Sequence, residues 1–273
     1  MKSKKIPLDK YYTQQDLADY CIKKTIEIIG KENITELIES SAGNGVFINS
    51  FERLLPNIEY KAYDIKPEDD RIIEADFLSL DLEYKKGRVV GFNFPYGTKN
   101  NLSMTFANKG FEIAEYVASI LPISKLNNTQ SIYRYDLIYS EDLQPRLYSN
   151  ISVHCCFNIY EKPLDKRYNE KLNYKNSEII EIREVIKTNN SKRNRELGDF
   201  KYDLKVCAWG AIGKICSDDE NYAKTFYIKI KDELNFDKIY NLIKNAKWRE
   251  LYPMTATPNL LQWQVYKYIK ENL

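Results

Sequence analysis

Four short apolar runs between residues 34 and 97 each end on a residue that carries chemistry. That order constrains the fold more than any single motif does. Ile34–Ile38 reads as a buried strand running into Glu39-Ser40-Ser41-Ala42-Gly43-Asn44-Gly45, and Val46-Phe47-Ile48-Asn49-Ser50-Phe51 then reads as a helix. Strand, small-residue turn and helix form the repeating unit of a parallel α/β sheet, and glycines in the turn let the backbone approach a ligand closely. Glu59–Tyr63 is the second run and ends in Asp64. Ile72–Ala75 is the third and ends in Asp76-Phe77, and Val89–Phe92 leads into Asn93-Phe94-Pro95-Tyr96-Gly97. Asp64 follows the Gly-rich turn by about 20 residues, the spacing at which a second-strand carboxylate meets ribose hydroxyls. Ligands of open α/β sheets bind at strand carboxyl ends, so the acids, the glycines and the amide converge on one edge. Each alone also fits an ordinary βα turn, an exposed strand-end acid or a Pro-aromatic-Gly turn.

Upstream, Tyr11-Tyr12-Thr13-Gln14-Gln15-Asp16 predicts a helix capped by Thr13, with Asp16 as a box-like partner. It runs to about Ile29, with Leu17, Cys21 and Ile28 on an apolar face, and Gly30 ends it. Downstream, Phe106–Ala114 predicts a helix, and Tyr116–Leu121, Ile132–Ser140 and Ile151–Tyr160 predict strands. The polar stretch Lys162–Ser177 is a linker or long loop. Beyond it come strands at Ile179–Val185, Lys201–Cys207 and Thr225–Ile230, then helices at Asp237–Ala246 and Asn259–Glu271.

The 273 residues suffice for one large domain or two modest ones. A net charge of +2 excludes a global polycation, so any nucleic-acid site must come from local clustering. Five dispersed cysteines (Cys21, Cys155, Cys156, Cys207, Cys216) contain no Cys-x-x-Cys pair, and His154 is the single histidine. That pattern argues against a zinc site and for reduced thiols in a cytoplasm. The Met-Lys-Ser-Lys-Lys start has no apolar run after it, so no signal peptide is expected, and no stretch reaches the roughly 18 apolar residues of a membrane helix.

Taken in order, these motifs resemble the class I S-adenosylmethionine-dependent methyltransferases, specifically the amino (N6-adenine) DNA group in its gamma-like motif order. The helix start 11–15 resembles that group's first cofactor motif, and residues 39–45 resemble its acid-Pro-Ser-Ala-Gly-x-Gly turn. Asp64 matches the ribose acid, Asp76-Phe77 the adenine-contacting pair, and Asn93-Phe94-Pro95-Tyr96 the catalytic Asn-Pro-Pro-aromatic. The resemblance spans roughly residues 10–160. Ser40 replaces a frequent proline that mainly shapes the turn. Phe94 replaces the first catalytic proline, giving the Asn-x-Pro-Tyr form also found in ribosomal-RNA adenine dimethyltransferases.

The resemblance implies a Rossmann-like seven-stranded α/β methyltransferase sheet in residues 1–165 and a smaller C-terminal α/β target-recognition region in residues 166–273. It implies S-adenosylmethionine held by Tyr11, Tyr12, Thr13, Glu39, Ser41, Ala42, Gly43, Gly45, Asp64, Ile65, Asp76, Phe77 and Asn93. It further implies that Asn93 and the Phe94 or Pro95 carbonyl hold the adenine amino group while Tyr96 stacks on the extruded base. The implied reaction is N6-adenine methylation of DNA by a cytoplasmic restriction-modification or phage-type enzyme, which leaves room for a cognate endonuclease and needs no metal or membrane. RNA adenine methylation is the alternative that Phe94 raises, and a catalytically silent methyltransferase-fold binding protein is the rival of another class. The basic run Lys187–Arg195 reads as a solvated loop or, through Lys192, Arg193 and Arg195, as a phosphate contact. His154 reads as a strand-surface residue, and Cys155, Cys156, Trp248 and Trp263 as core. Trp209-Gly210-Ala211-Ile212-Gly213 reads as a turn whose aromatic packs in the core, with a base contact as the other reading.

Overall fold

A computed structural model describes residues 12–97, 101–128, 130–148, 151–164, 169, 171, 173, 177–189, 194–253 and 258–273. The chain divides into two compact units, Met1–Glu170 and Lys171–Leu273, the division falling inside the polar stretch 162–177.

In the first unit, helix α1 (Gln15–Ile29) precedes strand β1 (Glu36–Glu39), helix α2 (Val46–Leu54), β2 (Glu59–Asp64), β3 (Ile73–Glu74) and β4 (Lys85–Asn93). Helix α3 (Asn101–Ile113), β5 (Ala114–Pro122), β6 (Asp136–Tyr148) and β7 (Ile151–Glu161) complete it. They build a seven-stranded sheet of order β3-β2-β1-β4-β5-β7-β6. β1 to β5 pair in parallel, and β7 inserts antiparallel between β5 and β6. A parallel sheet is covered on both faces, which explains why its strands read as apolar runs rather than alternating ones. On one face Leu37, Val89, Phe92 and Phe157 pack with Leu17, Ile22, Phe47 and Phe51 of α1 and α2. On the other, Ile38, Val90, Phe94 and Cys156 pack with Phe77, Phe106 and Phe111.

Several boundaries differ from the sequence reading, and two of the differences have identifiable reasons. β4 begins at Lys85 because the buried Arg88 is neutralised within the sheet. Its guanidinium bonds the Glu36 carboxylate and donates to the Ile113 carbonyl at 2.9 Å. Burial pushes the Glu36 carboxyl up, but Arg88, Lys85 and Lys61 outweigh it and hold the group below its ordinary value. β6 starts at Asp136 and runs on to Tyr148, past the expected end at Ser140 and through Pro145. It is the edge strand, and its pairing with β7 shifts register between Asp142 and Pro145, where a proline costs no ladder bond.

The second unit holds β8 (Ile180–Ile186), β9 (Leu204–Cys207) and β10 (Lys224–Ile230), an antiparallel sheet of order β8-β10-β9. Helices α4 (Phe236–Asn245), α5 (Trp248–Leu251) and α6 (Gln262–Asn272) follow. Its own core gathers Ile182, Val206, Phe226, Ile239, Trp248 and Val265. Among the described residues no helix is long and apolar enough to cross a membrane.

Candidate active site

The carboxyl ends of β1, β2 and β4 meet at one edge of the first unit. β1 ends at Glu39, level with Gly91 of β4 and Ala62 of β2. The turn that follows needs two glycines, at φ 55° for Gly43 and φ 77° for Gly45. The turn is clasped from the β2 side. Ala42 N–H donates to the Tyr63 carbonyl at 2.9 Å, and Gly43 N–H donates to Asp64 Oδ2 at 2.9 Å. Asp64 Oδ1 accepts from Lys66 N–H at 2.8 Å, so one carboxylate ties two loops together. Beside it the Ile65 side chain stands 55% exposed, an apolar surface next to the acid.

Glu39 is the unusual group. Its side chain is 1% exposed, and among the described residues neither carboxylate oxygen has a hydrogen-bond partner. Burial pushes its carboxyl well above the ordinary value, and the Asp64 charge pushes the same way. The backbone amides of Ser41 and Asn93 pull the other way, by more than Asp64 adds, but they neither reach bonding geometry nor outweigh burial. A buried polar group without a partner is expensive, and such orphans mark sites where a ligand completes the set.

The Gly-rich turn and the Asn93 turn are joined directly. Ser41 Oγ donates to the Asn93 carbonyl at 2.8 Å. Asn93 Nδ2 donates to Thr13 Oγ1 at 3.0 Å, turning the carbonyl end of the amide the other way. This corrects the expected helix cap. α1 begins at Gln15 with Gln14 at the cap position and no side-chain cap, because the Thr13 hydroxyl serves Asn93 instead. Tyr12 lies over Gly43, where a Cβ would come within 3.3 Å of its ring, and its hydroxyl donates to Glu68 at 2.6 Å. Gln15 donates to Ser50 Oγ at 2.9 Å and accepts from Asn49 at 3.1 Å, fixing the start of α1 on α2. Tyr11 lies outside the described residues.

Other expected site residues take different surroundings. Phe94 is buried against Phe106, so its side chain is core and only its backbone faces the edge. Phe77 is buried between Tyr63 and Phe106, while the exposed Asp76 accepts from Leu78 N–H at 3.0 Å and caps a 3-10 turn over Phe77–Ser79. Tyr96 turns inward, its hydroxyl 2.9 Å from Cys155 Sγ on β7, and burial followed by Cys155 raises its pKa well above the ordinary value. The sequence did not reveal Cys155 as its partner, because that contact depends on the antiparallel insertion of β7. Nor did it reveal that His154 Nε2 sits 2.7 Å from Asp142 Oδ1. Of the basic run, Lys192 and Arg193 lie outside the described residues, and Arg195 is paired with Glu184 at 2.6 Å. Cys155, Cys156 and Trp248 are buried and Trp263 is half-buried against Tyr252, but Trp209 is 44% exposed rather than packed in the core. Among the described residues no group of His, Cys, Asp and Glu side chains is gathered as a metal site.

No protein-family model matches the chain, and no curated protein matches it. Solved structures similar to it include a proposed RNA methyltransferase of Pyrococcus horikoshii, 17% identical over 60% of this chain and 94% of that one, with a TM-score of 0.45. A proposed class I S-adenosylmethionine-dependent methyltransferase of Listeria monocytogenes is 14% identical over 61% of this chain and 65% of that one, with a TM-score of 0.47. The methyltransferase subunit of a type I restriction-modification system of Streptococcus thermophilus is 14% identical over 56% and 45%, with a TM-score of 0.41. This chain therefore spans just under two thirds of the Listeria protein and under half of the Streptococcus one. The first unit has a Rossmann-like mixed α/β fold with a seven-stranded, mostly parallel sheet.

Proposed function

We propose that the first unit transfers the methyl group of S-adenosylmethionine to the N6 amino group of adenine in DNA. The observation that carries this reading is the Ser41–Asn93 bond, which ties the residue bearing the amide acceptor directly to the Gly-rich turn. The residues fit the cofactor. The orphaned Glu39 carboxylate suits its ammonium group, Asp64 its ribose hydroxyls, and the exposed Ile65 one face of its adenine. When bound, the cofactor supplies a methyl group already activated on a sulfonium, so the protein's task is orientation and electrostatics.

The adenine amino nitrogen is a poor nucleophile because its lone pair is delocalised into the ring. Asn93 Oδ1 and the backbone carbonyl of Phe94 or Pro95 accept its two N–H groups and favour a pyramidal nitrogen. Thr13 holds the other end of the Asn93 amide and so sets the direction of the acceptor. Tyr96 supplies the stacking ring, which must leave its contact with Cys155 or present its outer face. A base inside a duplex must be extruded first, at a cost of about a few kcal/mol. The second unit, Lys171–Leu273, is the target-recognition region, and its presence after the catalytic unit supports DNA as the polymer.

The test is transfer of a labelled methyl group to unmethylated DNA and to RNA, followed by nucleoside analysis. N6-methyladenine in DNA is expected. Label in RNA alone moves the assignment to an RNA adenine methyltransferase. Product 5-methylcytosine would sink the mechanism, since the chain contains no Pro-Cys nucleophile. A protein that binds no cofactor by calorimetry is the silent binding protein instead.

A further inference from the structure

Trp209 stands 44% exposed on the turn after β9, and among the described residues its ring meets no other aromatic ring and no cation. An exposed indole on a mobile loop is unremarkable, but this turn is fastened from several sides. Trp209 bridges to Asn259, Gly210 N–H donates to the Pro258 carbonyl at 2.8 Å, and Cys207 N–H donates to the Lys214 carbonyl at 2.8 Å. Gly213, at φ 82°, lies flat on the buried Trp248, where a Cβ would come 2.0 Å from that indole. Arg249 closes the turn from α5, its Nη2 donating to the Gly210 carbonyl at 2.8 Å. The guanidinium is exposed and has no acidic partner among the described residues, whereas its neighbour Lys247 pairs with Glu250. Gly210 itself, at φ 75°, faces open space.

A rigid turn thus presents a bare aromatic face and, one residue away, an uncompensated planar cation. Base rings stack on such faces regardless of sequence, and guanidinium groups bind phosphate oxygens with paired N–H donors. We infer that Trp209 and Arg249 form a nucleotide-contacting site on the second unit, the indole stacking on a nucleobase and the guanidinium holding a phosphate beside it. The inference rests on the nucleic-acid reading of the first unit but uses none of its residues. The cationic partner makes a nucleic acid the occupant here rather than an apolar protein surface.

The experiment is fluorescence anisotropy of labelled duplex and single-stranded DNA on the full chain and on Trp209→Ala, Trp209→Phe and Arg249→Ala. Cofactor calorimetry, circular dichroism and wild-type methyl transfer are run alongside. Trp209→Ala should weaken DNA binding about tenfold, and Trp209→Phe should stay within about threefold, because a ring remains. Arg249→Ala should reduce the slope of log K against log salt by about 0.7 to 0.9, the contribution of one phosphate contact. Cofactor affinity should be unchanged in all three. Folded variants that bind DNA as the wild type does, with the same salt slope, overturn the inference even if the wild type methylates DNA. A wild type that binds DNA through Trp209 but transfers no methyl group overturns the function of the first unit and leaves this site standing. A wild type that binds neither form of DNA overturns both this site and the assignment of DNA as the substrate.

Discussion

Replacing Glu39 with Gln should make the protein more stable at neutral pH and worse at binding its cofactor. The glutamate is 1% exposed and its two carboxylate oxygens have no hydrogen-bond partner, so ionising it inside the fold is costly. Burial, with Asp64 adding to it, raises its pKa in the folded state above the ordinary 4.5 that the unfolded chain shows. The folded state then holds a proton that the unfolded state has released. The contribution to stability is fully present below pH 4.5 and falls as pH rises, by about 1.4 kcal/mol per pH unit. It levels off once the pH passes the raised folded-state value. Gln has the same shape and no titration, so the stability gap between variant and wild type should open above pH 4.5 with that slope and then plateau. Urea denaturation at half-unit pH steps measures it. Binding should run the other way, because an ammonium group seated on Glu39 requires the carboxylate. Wild-type affinity for S-adenosylmethionine should therefore rise up to about tenfold per pH unit through the same window, with proton release visible in calorimetry across buffers of different ionisation enthalpy. Glu39→Gln should bind more weakly and release no proton. Parallel stability curves for the two proteins would refute the reasoning, since they would mean that Glu39 titrates alike folded and unfolded.

Asn93→Ala should lower methyl transfer by at least about two orders of magnitude while leaving cofactor affinity nearly constant, because the lost contact orients the nucleophile. Cofactor affinity is held by the Asn93 backbone in this reading, so a parallel fall in it would mean that the side chain also serves the cofactor. Thr13→Val removes the acceptor that holds the Asn93 amide and should cost about tenfold in turnover; equal turnover in the two proteins would show that the amide is aimed by other contacts. Gly91→Ala places a Cβ 2.0 Å from the Ala118 carbonyl oxygen at φ +151°, and should destabilise the fold by at least about 2 kcal/mol in urea denaturation. Replacing Lys192, Arg193 and Arg195 together with Ala should flatten the salt dependence of DNA binding. Arg195→Ala alone should leave it nearly unchanged, because that guanidinium is already paired with Glu184.

The sheet edge was legible because its signals are local. An apolar run followed by glycines, an acid or an amide marks a strand end whatever surrounds it, and Glu39, Gly43, Asp64 and Asn93 all lie where those runs stop. What stayed hidden depends on partners distant in sequence. Thr13 and Asp16 have the spacing of a helix cap, and only the fold shows that the Thr13 hydroxyl bonds a residue 80 positions away. Trp209 follows the buried Val206, Cys207 and Ala208 and so reads as more core, until the turn carries it outward. The expected strand stops at Ser140, ahead of Pro145, and only the place of β6 on the sheet edge lets it continue past that proline.

The direction of the Asn93 side chain was least legible of all, and it comes from backbone strain. Phe92 has φ 121°, a conformation that a bulky residue rarely adopts, and it follows Gly91, which also has positive φ. Such a residue costs about 1–3 kcal/mol and persists only where its surroundings over-determine it. Here they do. The Phe92 ring is fully buried, with its centroid 5.3 Å from Phe47 and 5.1 Å from Phe51, and the close approach of Ala118 leaves no room for any side chain at position 91. Aromatic packing on α2 thus holds β4 in a turned conformation for its last residues. Asn93 follows directly, where Thr13 can take one end of its amide and Ser41 its backbone carbonyl. A relaxed strand would continue the regular alternation of side chains across the sheet. The strained pair Gly91-Phe92 departs from that path and carries the amide to the same edge as the Gly-rich turn.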